Sequence, residues 1–373
     1  MSPLRLPWRR AARPRLSVVV PVFNQAPYLV RSLDSVLAQP GVDLEVVVVD
    51  DGSTDGSGEL AEEYAATHRE VVVLRQANAG VSAARNVALE HCTGDLVTFV
   101  DPDDFLPARA WQPLLRSLDR SGSDFAVGMM EKVTEDGRRS RPPLLARNHA
   151  ERRTAVGIDD APLMLADVFP CNKVFRMDFW RSAGLTFPLG VRYEDQVWAT
   201  DAFLAARRFD VLPEVVYDWY VREGESSATN RRGRLDNLDD RIRTKHMTLD
   251  RVRAHRNPVL LDTLYHQVLP IDMWEHFRAA VAPSTEDPDR YWVMLREGLL
   301  GIWNEETVPF EQVDLPAGQR VMGWLVAQDR RDDLARLVAQ IDGPGVPVED
   351  GRYLHPWHDE PGVPEELGRV SRR

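Results

Sequence analysis

Four short, continuously apolar and largely β-branched runs, at residues 16–20, 44–49, 71–74 and 96–100, restrict this chain more than any other feature. Unbroken apolarity, as opposed to alternation, marks strands covered on both faces. Helical patterns separate the runs. Leu29, Leu33, Val36 and Leu37 share one stripe after the first, and residues 83–89, rich in helix formers, follow the third. The expected fold is therefore a parallel α/β sheet with right-handed crossovers. In such a sheet every strand ends at the same edge, where ligands bind. The runs empty into Pro21-Val22-Phe23-Asn24, Asp50-Asp51-Gly52-Ser53, Asn78-Ala79-Gly80 and Asp101-Pro102-Asp103-Asp104, so the polar residues collect at one rim.

With 373 residues and 43% hydrophobic content, the chain can bury a large core. A net charge of -12 argues against a nucleic-acid partner, which would need clustered Lys and Arg. Cys92 and Cys171 fit no zinc or redox spacing, so a reducing compartment, the cytoplasm, is expected. No stretch is apolar for long enough to span a membrane. Arg5, Arg9, Arg10, Arg13 and Arg15 precede the first run without a signal-peptide core. Residues 1–14 read as a disordered basic arm, or, with Trp8, as a peripheral contact with anionic lipid at the inner face of the membrane.

Residues 124–129 form a fifth candidate strand, and the polar, Arg-rich residues 131–153 read as an exposed loop or hairpin. From about residue 234 the pattern turns helical, with Leu235, Leu238, Ile242, Leu249 and Val252 on one stripe. Further helices are expected within 259–281, 290–304 and 320–341, and an irregular Pro- and Gly-rich tail over 343–373. The expected organisation is an arm at 1–14, a catalytic domain at 15–228, a helical region at 229–342 that could support a homo-oligomer, and the tail.

Asp51, Ser53, Asp55, Gly56 and Glu62 match calcium-loop spacing, but a β-branched run stands where the preceding helix belongs. Neither a G-x-G-x-x-G after a strand nor a P-loop is present. Asp101, Asp103 and Asp104 are hard oxygen donors suited to a divalent cation on a diphosphate, or else an acidic turn.

Taken together, residues 17–24, 49–55, 78–86 and 99–104 resemble the family 2 glycosyltransferases of GT-A fold, over roughly residues 15–227. The resemblance implies inverting transfer from a nucleotide-diphosphate donor, usually a UDP-sugar, with Mg²⁺ or Mn²⁺. It implies Asp103 as metal ligand, Asp101 shared between metal and ribose, and Asp104 supporting the donor sugar. Phe23 and the backbone at Pro21 would face the uracil, and Asp51 would accept from its N–H. Asp50 would instead cap or brace the loop, and for either aspartate the alternative is an Asx-turn with Gly52. Arg85 would orient Asp103 or contact phosphate, and Arg222, in Trp219-Tyr220-Val221-Arg222, would steady the leaving group. In Tyr193-Glu194-Asp195, Asp195 is the implied base and Glu194 would position acceptor or base; the alternative is a plain acidic helix start. Lys173 reads as structural, and Trp198 as a core residue or a sugar-stacking one.

Phe23 stands where the family commonly has tyrosine, which removes a hydroxyl and keeps a ring. The acceptor expected is a carbohydrate or polyol phosphate of a cell-surface polymer. The competing reading is a non-catalytic module that binds a nucleotide sugar or glycan.

Overall fold

The computed structural model describes residues 14–221 and 232–370. The chain forms two compact units, one within residues 1–225 and the other within 226–373.

The first unit is built on β1 (Arg15–Val22), α1 (Ala26–Leu37), β2 (Asp43–Asp50), α2 (Ser57–Thr67), β3 (Val71–Arg75), α3 (Val81–His91) and β4 (Leu96–Phe99). There follow α4 (Trp111–Ser121), β5 (Phe125–Thr134), β6 (Arg139–Ser140), α5 (Pro143–Asn148), β7 (Arg153–Val156), β8 (Lys173–Arg176), α6 (Met177–Ser182), α7 (Glu194–Ala205) and β9 (Phe209–Val221). Among the described residues the sheet has nine strands in the order β3-β2-β1-β4-β8-β5-β9-β7, with β6 on β5. The half from β3 to β4 is parallel, as the four apolar runs require. Val18, Val20, Val46 and Val48 have no exposed surface. Each such side chain stabilises the fold by about 1.5–3 kcal/mol relative to exposure.

The other half is mixed: β8 is antiparallel to both neighbours, whereas β5 and β9 are parallel. A four-residue strand ending directly in a helix leaves little periodic signal, so β8 was not separable from its surroundings in the sequence. The stretch 131–153 is the end of β5, a turn at Asp136 and Gly137, β6 and α5.

Lys173 on β8 is buried, and its Nζ donates to the Asp167 carboxylate at 2.6 Å and to the Phe169 carbonyl at 2.6 Å. His149 and Asn172 also bond Asp167. Lys173 is thus a structural cation. Trp198 is fully buried and stacks on Phe187 at 4.8 Å, with Phe99, Phe175 and Trp180 around it. It is a core residue.

The second unit contains α8 (Leu235–His255), α9 (Pro258–Thr263), α10 (Met273–Ala279), α11 (Pro288–Leu300), α12 (Ala317–Ala327) and α13 (Arg331–Asp342). Pro270, which lacks an N–H, falls in the break between α9 and α10. Asp329 at φ 59 separates α12 from α13. The buried face of α8 carries Leu238, Leu249 and Val252, but also Arg241 and Lys245. Both cations pair with Asp272, which explains how charge sits on a stripe expected to be apolar. The tail holds a short antiparallel pair, Val348–Glu349 (β10) with Arg352–Tyr353 (β11), and buries Trp357 and Leu367. No helix among the described residues is long and apolar enough to cross a membrane.

Candidate active site

The rim forms where β1, β2 and β4 end. Asp50 and Asp51 leave β2 together, and their carboxylates do different work. Asp50 accepts from Ser53 N at 3.1 Å and lies 3.7 Å from Arg75, bracing its own loop. Asp51 is buried and accepts from Gln76 Nε2 at 2.7 Å, Ala79 N at 2.8 Å and Gly80 N at 2.8 Å. It fastens the loop before α3 and keeps one of its roughly four acceptor positions for a further donor. Gly52 between this pair and Ser53 sits at φ +74, and a Cβ there would lie 2.9 Å from Asn78 N. Gly52→Ala should therefore strain the loop by about 1–3 kcal/mol, which a thermal melt would measure.

Pro21 is buried within β1, and Phe23 just beyond it is 46% exposed. Asn24, at φ 53, accepts from Thr54 N and so ties the two strand exits together.

Asp101, Asp103 and Asp104 follow β4. Asp101 accepts from Arg85 Nη2 at 3.0 Å, with about a third of its side chain exposed. Asp103 is half-buried. Asp104 is buried and accepts from Tyr217 Oη at 2.9 Å and from Tyr220 N at 2.7 Å. The Tyr217 hydroxyl also accepts from Asp101 N at 3.0 Å, so one phenol on β9 joins both acidic residues. Burial, with Asp101 and Asp103 adding repulsion, pushes the Asp104 carboxyl well above the usual carboxylate range. Nothing in the sequence marked Tyr217, because its contact depends on β9 crossing to this edge.

Arg85, one turn into α3, is buried over the Phe187 ring at 5.1 Å. Its second contact is Glu194 Oε1 at 3.2 Å from Nη1. The guanidinium thus bridges Asp101, from the β4 exit, and Glu194, at the start of α7. Asp195 is half-exposed beside it on the same helix turn. Tyr193 before them takes φ 62, a left-handed conformation that turns the chain sharply into α7. The resemblance implied that Arg85 orients Asp103 or contacts phosphate; the structure shows it bonded to Asp101, two residues before Asp103.

Burial, with Asp195 alongside, pushes the Glu194 carboxyl up to about 8 although Arg85 opposes the rise. The ordinary value is 4.5, so the folded state holds this proton more tightly than the unfolded one. The stability it contributes is present in full below about pH 4.5 and is lost as pH rises through about 8. Glu194→Gln should flatten that part of a melting-temperature profile between pH 5 and 9. An unchanged slope in the variant would remove Glu194 from the account.

Arg222 and residues 1–13 of the basic arm lie outside the described residues. Among the described residues no three His, Cys, Asp or Glu side chains gather around a single point.

A half-parallel sheet with a carboxylate-lined rim, faced by an Arg-bridged Glu-Asp pair, defines a GT-A glycosyltransferase fold. Residues 17–182 match the sequence model of glycosyl transferase family 2. The chain is 31% identical over 219 residues to the uncharacterized glycosyltransferase EpsJ of Bacillus subtilis, covering 58% of this chain and 63% of that protein. It is 29% identical over 257 residues to the poly(ribitol-phosphate) β-N-acetylglucosaminyltransferase TarS of Staphylococcus aureus, covering 67% of this chain and 44% of TarS. The chain therefore spans less than two thirds of the length of these relatives. The crystal structure of S. aureus TarS residues 1–349 with UDP-GlcNAc superposes with a TM-score of 0.67 at 21% identity, over 91% of this chain and 97% of that one.

Proposed function

We propose that this chain transfers a sugar from a nucleotide-diphosphate donor, a UDP-sugar, to a hydroxyl of a cell-surface polymer, with inversion at the anomeric carbon. The observation that carries this reading is the Arg85 bridge. It draws the donor-side carboxylates and the Glu194-Asp195 pair to one place, as a reaction with a leaving group on one face and an incoming hydroxyl on the other requires. The family match supports it, as does the name of one relative, a poly(ribitol-phosphate) β-N-acetylglucosaminyltransferase.

Asp195 is the general base: it removes the acceptor proton as that oxygen bonds to the anomeric carbon and the bond to the diphosphate breaks on the opposite face. Glu194, held by Arg85, positions it. Asp51 keeps an acceptor position for the uracil N–H, Phe23 offers its exposed ring, and the Pro21 backbone lines the same corner. Asp104 braces the rim from beneath and can reach the donor sugar only through its remaining lone pairs. Arg222 steadies the leaving diphosphate.

Asp103 and Asp101 would hold Mg²⁺ or Mn²⁺. Two hard carboxylates do not complete a shell, but they fit a cation whose other ligands are water and the donor's own phosphate oxygens. A cation held there would supply positive charge against the departing diphosphate. Titration of UDP with and without Mn²⁺ should give tighter binding with the metal. Asp103→Ala should abolish that metal dependence and lower UDP release from the sugar donor at least 100-fold. Metal-independent UDP binding in the wild type would remove the cation from the mechanism.

The cytoplasm, with the polymer precursor presented at the inner membrane face, is the compartment this reading calls for. Contact of the basic arm with lipid and assembly through the second unit remain proposals from sequence.

A further inference from the structure

The chain has three lysines among its 46 Lys and Arg residues. Lys173 and Lys245 are buried and paired with Asp167 and Asp272. Lys132, the third, is half-exposed and makes no ion pair among the described residues. Its Nζ lies 4.7 Å from the centroid of the Trp219 ring.

Lys132 on β5 and Trp219 on β9 are register partners, so both side chains leave the same face of the sheet. Phe169 completes the group, its ring 5.9 Å from Trp219 and inclined at 46°. All three residues are half-buried. The Phe169 carbonyl accepts the buried Lys173 ammonium, which anchors its backbone. The patch also lies beside the carboxylate rim: Tyr217, two residues earlier on the Trp219 face, bonds Asp104 and Asp101, a strand rise of roughly 6.6 Å away. The nearby Arg139 and Arg141 project from the other face and are spent on Asp218 and Glu131. What remains, among the described residues, is an aromatic floor with one positive charge outside any ion pair, next to the candidate reaction centre.

An aromatic face suits the C–H face of a sugar or polyol, and a lone ammonium on a flexible stem suits a single phosphate or carboxylate oxygen. We infer that Trp219, Phe169 and Lys132 form the acceptor subsite, with the carbon skeleton of an acidic polyhydroxylated chain lying on Trp219 and its anionic group against Lys132 Nζ. This rests on the transferase reading for the word acceptor, but not for the binding itself.

The test is calorimetric titration of the full chain with three probes: a glycerol-phosphate oligomer, an oligogalacturonate and a neutral cello-oligosaccharide. The wild type should bind one acidic probe, and which one identifies the source of the charge. Lys132→Met should weaken that binding at least 5-fold and Trp219→Ala at least 10-fold, with Trp219→Phe close to wild type and UDP affinity unchanged in all. With a transferred sugar, the same variants should raise acceptor KM and leave kcat largely intact. Wild-type protein that binds no acidic probe, binds the neutral one as tightly, or loses nothing in either variant would overturn the subsite. A parallel loss of UDP affinity in Lys132→Met would also overturn it, moving the residue to the donor side. Lys132-dependent binding without UDP release from any nucleotide sugar would instead refute the transferase reading and leave the subsite standing.

Discussion

Asp195→Asn is expected to lower transfer by about 10²–10⁴-fold while leaving UDP affinity unchanged. The amide keeps the size and shape of the carboxylate but has no lone pair basic enough to take the acceptor proton. The residue is half-exposed at the first turn of α7, where the fold does not depend on it, so the melting temperature should stay near that of the wild type. Steady-state turnover and a UDP titration on the same preparation measure both quantities. Turnover within a few-fold of the wild type would exclude Asp195 as the base.

Arg85→Met should be the most damaging single change to the rim. The guanidinium is buried between Asp101 and Glu194, and no other cation is within an ion-pair distance of either among the contacts described. Removing it strips Asp101 of its buried cation and takes from Glu194 the charge that opposes its protonation, a loss of about 3–5 kcal/mol when one partner of a buried pair is deleted. Denaturant unfolding should show that loss as a lower midpoint with an unchanged slope. Activity should fall with it, since Asp101 and Glu194 lose their shared anchor. The double variant Arg85→Met with Glu194→Gln should recover part of the stability and none of the activity. Recovery of neither would mean that Arg85 acts through its packing on Phe187 rather than through charge.

The strands of the parallel half, and their common edge, were legible in the sequence because four valine-rich runs leave no other packing solution. The carboxylates of that edge were legible for the same reason: a parallel strand must deliver its exit residues to the rim. What the sequence could not reveal were partnerships across the sheet. Tyr217 reaches Asp104 from a strand 113 residues later in the chain, and no local pattern distinguishes it from a buried core tyrosine. Asp51 was recognisable as a rim residue, but its grip on Gln76, Ala79 and Gly80 depends on how the next loop folds back. In the helical unit the apolar stripe of α8 was visible, whereas its buried cations could be understood only once Asp272 stood opposite them.

The insertion of β8 between β4 and β5 also governs how the molecule is made. When a ribosome has released residues up to 134, β4 and β5 both exist, yet neither can pair with the other, since the strand that belongs between them is still unsynthesised. Two raw edges must wait for residues 173–176, and β5 waits further still for β9. The nascent polypeptide therefore passes through a stage with open, apolar strand flanks, the form most prone to self-association. Slow translation or scarce chaperone during that interval should cost yield, while the finished protein, its gap filled, carries no trace of the hazard.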